Sequence, residues 1–144
     1  PCEVIEVVSQ RVGEKIGFGK VCKLSTPHTP SQLAKRVQAV FGNTVVRYTE
    51  GVNKQITKIG LCSGAGGSIA GLAVSLGCDA YITGDVKHDQ FIDAANMGIT
   101  LIDAGHYHTE VIFAEYIKRM LNKKFPQLEV KIAESCVDPV KYIV

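Results

Sequence analysis

The sequence lacks the run of ~18 apolar residues that a membrane-spanning helix needs. Its start, Pro1-Cys2-Glu3-Val4, has neither the basic opening nor the apolar core of a secretory signal. These two absences point to the cytoplasm or an organelle matrix. There is no Cys-x-x-Cys. The five cysteines (Cys2, Cys22, Cys62, Cys78 and Cys136) are odd in number and widely spaced, so neither a disulfide framework nor a zinc knuckle is expected. Cys62 and Cys78 lie in apolar surroundings and read as small buried hydrophobes. Neither sign of charge dominates, with 16 Lys and Arg against 14 Asp and Glu. The short basic cluster Lys118, Arg119, Lys123 and Lys124 reads as the solvated face of a helix, not as a nucleic-acid patch. Also missing are a Gly-x-Gly-x-x-Gly, a Walker Lys-Ser/Thr ending, a Ser-His-Asp order, a Cys–His pair and any internal repeat. There is no initiator Met, so a chain beginning at Pro1 is expected to be either processed or a piece of something longer.

What is present suits one α/β unit. The chain has 144 residues, 46% of them apolar and 21% charged, as in an ordinary globular domain with a real core. Residues 2–18 fit a helix as well as strands, and Gly17-Phe18-Gly19 interrupts them. Lys20 to Leu24 reads as a short strand. Ser31 is a plausible N-cap for a helix carrying Leu33, Val37, Val40 and Phe41, which Gly42 ends. Thr44 to Tyr48 and Ile56 to Cys62 read as strands. Ser63 to Ser68 is a glycine-rich loop, and Ile69 to Leu76 a small-residue helix. Ala80 to Thr83 is a strand. Asp85 is positioned to cap a helix running to Met97, with Gly98 just past its end, and at its strand end it is also a candidate to orient a ligand imidazole or contact a substrate. Ile99 to Asp103 is the next strand, and a long helix follows His106 to about Lys123. Leu128, Val130 and Ile132 alternate with Glu129 and Lys131, as an edge strand does.

From Ile56 the order is therefore βαβαβαβ with short connections. That predicts a mostly parallel sheet flanked by helices. Ligands of such sheets bind outside the carboxyl ends of the strands. Three segments fall there: Ser63–Ser68, Thr83–Asp85 and Asp103–Glu110.

In the last of these, His106 and Glu110 are four residues apart, hence one helical turn apart on one face, roughly 40° from each other. An imidazole nitrogen and a carboxylate oxygen in that relation suit a divalent cation. His108 points away. On the same helix, Ile112, Phe113, Tyr116, Ile117, Met120 and Leu121 define the face expected to be buried. Asp103 ends a strand beside Gly105, where its carboxylate would orient a ligand imidazole. His88 shares a stripe with Phe91, Ile92 and Ala95, which makes it a candidate ligand or a satisfied core residue. Gly64, Gly66, Gly67 and Ser68 resemble a phosphate cradle at a helix start, and tight helix–strand packing explains them equally well. No catalytic residue is singled out.

These residues resemble a known family. Gly60–Ser68 (GLCSGAGGS), Gly77-Cys78-Asp79-Ala80-Tyr81-Ile82-Thr83-Gly84-Asp85, Asp93-Ala94, Gly98-Ile99 and Gly105-His106-Tyr107 through Glu110 are similar, in order, to the Nif-three-like proteins, which carry the label GTP cyclohydrolase 1 type 2 homologue. Gly17-Phe18-Gly19-Lys20-Val21 adds to the likeness. The resemblance implies a dinuclear metal protein of α/β architecture that assembles as a hexamer, with the C-terminal metal ligands on His106 and Glu110. It also implies that residues 1–144 form one unit corresponding to the C-terminal portion of a longer protein, whose remaining ligands lie elsewhere. Many relatives have Thr-Gly-Glu where Thr83-Gly84-Asp85 stands, and His-His or Tyr-His at His88-Asp89.

Two functions are expected to compete. One is a divalent-metal-dependent hydrolase, with Zn, Fe, Mn or Co in the site and a phosphate-bearing small molecule as its ligand. The other is a non-enzymatic metal-binding or regulatory protein that associates with itself.

Overall fold

The computed structural model describes residues 2–42, 45–135 and 137–143. Thr44, at the start of one expected strand, and Cys136 lie outside them. Strands β1 (Glu3–Arg11) and β2 (Glu14–His28) form an antiparallel hairpin. Its turn is Val12-Gly13, both at positive φ (48° and 82°), the backbone that suits the right-handed twist of a tight hairpin. The ambiguity over residues 2–18 is thereby settled as strand. Gly17-Phe18-Gly19 does not interrupt the chain, because it lies inside β2. A Cβ on Gly17 would overlap the Glu6 backbone across the ladder, so glycine lets the two strands close up.

Helix α1 (Pro30–Phe41) is capped by Thr29, not Ser31. Thr29 Oγ1 accepts from the Gln32 amide (3.2 Å), and the Gln32 side chain accepts from the Thr29 amide (2.9 Å). Pro30 fits the first helical turn because its missing N–H is not needed there. Strand β3 (Arg47–Tyr48) is followed by β4 (Ile56–Leu61), α2 (Ala70–Ser75), β5 (Ala80–Thr83), α3 (His88–Met97), β6 (Thr100–Asp103) and α4 (His106–Lys124). A 3-10 turn, Gly67–Ile69, leads into α2.

The six strands form one sheet in the order β1-β2-β4-β5-β6-β3. The centre, β4-β5-β6, is parallel, and the flanking pairs are antiparallel. Every residue of β5 and β6 is buried. One face of the sheet packs Val21, Tyr81, Leu101 and Ile99 against Ala70, Ala73 and Ala94 of α2 and α3. The other packs Ile56, Ile82 and Ile102 against Leu33, Ala34 and Val37 of α1. The expected α/β class with its mostly parallel 56-to-103 stretch is present.

Four expectations are corrected. Leu128–Ile132 is not a strand: these residues run irregularly, with Leu128 and Glu129 exposed and, among the described residues, no strand paired with them. The sheet edge the alternation would have joined is taken by β3, paired with β6. Asp85 does not cap α3, which begins three residues later with the Lys87 amide donating to Gln90 Oε1 (2.9 Å). Cys2 and Cys22 are joined by a disulfide, since the pairing of Glu3 with Val21 sets them opposite each other, 4.8 Å apart at Cα. Spacing along the chain does not reveal a pairing made by hairpin register. Finally, the α4 face expected to be buried is largely open: Ile112 is 50% exposed, Phe113 62%, Tyr116 56% and Met120 44%. The buried clusters on the two sides of the sheet draw on α1, α2 and α3 and not on α4, which meets α1.

Candidate metal centre at the carboxyl ends of the central strands

The three loops that leave β4, β5 and β6 are tied together by their backbones. Gly84 N donates to Gly64 O (2.8 Å), Cys62 N to Ile82 O (3.0 Å) and Ala104 N to Thr83 O (2.7 Å). Side-chain hydroxyls complete the lattice. Thr83 Oγ1 donates to Gly64 O (3.0 Å) and accepts from Gly66 N (2.9 Å). Buried Thr109, in the first turn of α4, accepts from Gly64 N (2.9 Å) and bonds the carbonyls of Gly105 and His106 (3.0 and 2.9 Å). Neither Thr109 nor Arg47 was singled out from the sequence. A threonine at that place reads as an ordinary helix-start residue, and only its burial marks it.

This frame holds His106 between two carboxylates. Its Nε2 lies 3.1 Å from Glu110 Oε2, and its Nδ1 lies 2.8 Å from Asp85 Oδ2. Asp85 reaches the ring because its backbone is left-handed (φ 51°), a conformation Asp tolerates better than most residues. The hydrogen bond that the ring donates to Asp85 raises the His106 pKa above its ordinary value; burial opposes this and the Glu110 charge adds to it. Gly64, also left-handed at φ 65°, clears the space in front of the pair. A Cβ there would overlap Glu110 Oε1 and come within 3.3 Å of His106 Nε2.

The other expected residues fall elsewhere. Asp103 does not touch the His106 ring. Its carboxylate takes the Arg47 guanidinium, the Val86 amide (3.2 Å) and the Gly105 amide (3.0 Å), and so shapes the turn that presents His106. The carboxylate on the ring is that of Asp85. His88 is exposed at the start of α3. The Gly64 and Gly66 amides are both bonded inside the protein, which leaves them turned away from any phosphate. Gly67 packs against the Gln90 side chain, and Ser68 is exposed. His108 lies apart from His106, with its Nδ1 4.0 Å from Asp138 Oδ2.

A cleft of about 870 Å3 opens beside His106 and Glu110, walled by Arg47, Tyr107, His108, Asp138, Val140 and Tyr142. Its size is that of a small-molecule site. The donor set of His106 and Glu110, one imidazole nitrogen and one carboxylate, is one that borderline divalent cations accept. Among the described residues, no group of three or more His, Cys, Asp and Glu side chains is placed to hold a metal ion. The pair by itself supplies two donors of the kind such a cation takes. Among the same residues, no helix is long and apolar enough to cross a membrane.

An α/β sheet with a histidine–carboxylate pair at its ligand end defines a broad class. The sequence narrows it: residues 2–140 match the Duf34/NIF3 (NGG1p interacting factor 3) family, and the chain belongs to that family. The protein NIF3 homolog of Schizosaccharomyces pombe is 32% identical over 78% of this chain and 39% of its own length. A GTP cyclohydrolase 1 type 2 homolog of Streptococcus pneumoniae is 35% identical over 79% and 44%. The crystal structure of a hypothetical protein of Staphylococcus aureus superposes with a TM-score of 0.77 at 29% identity, over 87% of this chain and 37% of that one. The chain spans about half or less of the length of the curated relatives it matches.

Proposed function

We propose that His106 and Glu110 are two ligands of a divalent-metal site, and that this chain contributes them to a metal-dependent hydrolase of the cytoplasm. The observation that supports this is the fixing of the His106 ring. With Nδ1 engaged by Asp85, the imidazole has a set orientation and directs Nε2 toward Glu110, the arrangement in which carboxylates support ligating histidines. Glu110, one turn further along α4, supplies an oxygen on the same face. A divalent cation held there would acidify a bound water and polarise a substrate oxygen. Zn, Fe, Mn and Co all suit imidazole with carboxylate, and the family resemblance argues for a dinuclear site. The chain's own part is to orient the imidazole, to keep Gly64 clear of the pair and to offer the adjoining cleft to a substrate.

A second reading has its own observation. The open apolar face of α4 and the exposed Val7, Val8, Ile16 and Phe18 of the hairpin are apolar surface of the kind a partner covers. They favour self-association, as the hexamer implied by the resemblance requires, and a non-enzymatic metal-binding or regulatory role would use the same surfaces.

Two ligands alone hold a metal weakly, so the ligand assignment is tested by zinc titration calorimetry on the longer protein that the resemblance implies. His106→Ala and Glu110→Ala should each weaken zinc binding by tenfold or more, on the order of what one lost ligand contact costs. His108→Ala should bind as the unsubstituted chain does. Equal loss in all three variants, or none in the first two, refutes the assignment.

A further inference from the structure

Two turns must be held against each other for the Asp85 carboxylate to meet the His106 ring. One leaves β5 and the other β6, which end side by side with Thr83 opposite Asp103. The turns touch: a Cβ on Gly84 would lie 2.6 Å from both the Gly105 carbonyl carbon and the His106 nitrogen. A shift of one is therefore felt by the other. A single carboxylate joins them. Asp103 accepts from the amide of Val86, the residue after Asp85, on Oδ2 (3.2 Å), and from the amide of Gly105, the residue before His106, on Oδ1 (3.0 Å).

Asp103 is 6% exposed, and a buried carboxylate is costly unless it is paired. Arg47 pairs it. The two-residue strand β3 sets Arg47 directly opposite Asp103. The same Nη2 that meets Asp103 also donates to the Val86 carbonyl (2.8 Å). Buried Val86 is thus held twice, by its amide on Asp103 and by its carbonyl on Arg47. The guanidinium lies over the Phe91 ring of α3, 5.3 Å from its centroid, a stacking that orients its planar fork. Among the described residues Arg47 bonds neither His106 nor Glu110. Without the guanidinium, the Val86 carbonyl loses this donor and Asp103 loses its counter-charge. Of these ties on the Asp85 turn, only the one through the Val86 amide remains.

We propose that Arg47 is a positioning residue of the metal pair: through Asp103 and Val86 it sets the Asp85 turn against the His106 turn, and so fixes the imidazole in the orientation that metal binding uses. This rests on the reading of His106 and Glu110 as metal ligands.

The test has a metal-free arm and a zinc arm. In the first, 1H–15N NMR follows the imidazole nitrogens of the metal-free chain. Arg47→Met keeps an apolar stem over Phe91 and removes the fork. It should move the His106 nitrogens toward their positions in Asp85→Ala, where the ring has lost its carboxylate, and leave those of His28 in place. Arg47→Lys keeps the charge without the fork and should lie nearer the parent chain than Arg47→Met does. Asp79→Asn, at the opposite end of β5, is destabilised elsewhere and should leave the His106 signals unmoved. In the second arm, zinc calorimetry on the longer protein should show Arg47→Met binding about tenfold or more weakly, the scale for groups that orient a ligand. Asp103→Asn should also weaken binding. The double variant Arg47→Met/Asp103→Asn should lose less than the product of the two single losses, because both act on one link. The proposal is overturned if the His106 nitrogens of Arg47→Met stay with the parent's, if Asp79→Asn moves them as far, or if the two zinc losses multiply in full. Zinc binding that does not depend on His106 sinks the metal assignment alone, since the metal-free spectra decide the positioning without it.

Discussion

Replacing Gly64 by alanine adds one methyl group at the point where the backbone meets the proposed metal pair. Two effects combine. The residue sits at φ 65°, where an L side chain costs roughly 1–2 kcal/mol. The new Cβ would also overlap Glu110 Oε1 and press to 3.3 Å from His106 Nε2. The Gly64 backbone is held by Thr109, Thr83 and Gly84, so the side chain is what gives, and Glu110 must swing by on the order of 1 Å to restore contact distance. Gly42→Ala is the matched control, because Gly42 has φ 66° with no described residue within 4 Å of its would-be Cβ. Both variants should lose about 3–8 °C in melting temperature, the scale for a chain of this size. Only Gly64→Ala should also shift the His106 ring resonances and weaken zinc binding by about tenfold or more, as disturbing a ligand's surroundings does. Calorimetry and NMR on the two variants decide it. If Gly64→Ala leaves His106 and zinc affinity as Gly42→Ala does, the argument that glycine is needed to clear the pair is wrong.

Thr109→Val keeps the shape of a buried residue but leaves the Gly64 amide without its acceptor; denaturant unfolding should show a loss of about 1–3 kcal/mol. In the metal-free chain, His106 should titrate above the ordinary histidine value, and Asp85→Asn should bring it down because the largest cause of the rise is removed; an NMR titration in which Asp85→Asn leaves the value unchanged would refute that cause. Asp79 is partly desolvated, which alone would raise its pKa, yet bonds from the Thr57 and Lys58 amides, the Thr57 hydroxyl and Asn53 hold it below the usual value. A carboxyl depressed in the folded state contributes stability that is present above its unfolded pKa, about 3.9, and is lost as pH falls through the folded value. Asp79→Asn should therefore destabilise the chain at pH 7 and flatten the fall in stability below about pH 4, as read by melting temperature against pH.

The sequence by itself determined the periodic elements. β5 is a short run between Asp79 and Gly84 in which every residue is apolar or hydroxylated, and β6 follows the same pattern until Asp103 ends it, so buried strands of that kind are legible. The relation of His106 to Glu110 was also legible, since four residues on one helix fix an angle whatever surrounds the helix. What only the tertiary structure decided depends on contacts between distant segments. The alternation at Leu128–Ile132 marks a chain able to be a strand, but a strand exists only with a neighbour, and β3 holds that edge. The apolar stripe of α4 is written in the sequence, whereas its burial depends on what lies opposite, and within this chain α1, α2 and α3 close the core without it. The disulfide followed the register of a hairpin whose turn, Val12-Gly13, carries a weak local signal. Most consequential is the exchange of roles between two aspartates at neighbouring strand ends. Both Asp85 and Asp103 stand where a carboxylate reaches His106 by sequence reasoning. Arg47, arriving from β3, draws Asp103 to itself, and the left-handed turn at Asp85 sends the other carboxylate to the ring. No local pattern encodes that choice, because it is made by a cation thirty-eight residues away from one aspartate and fifty-six from the other.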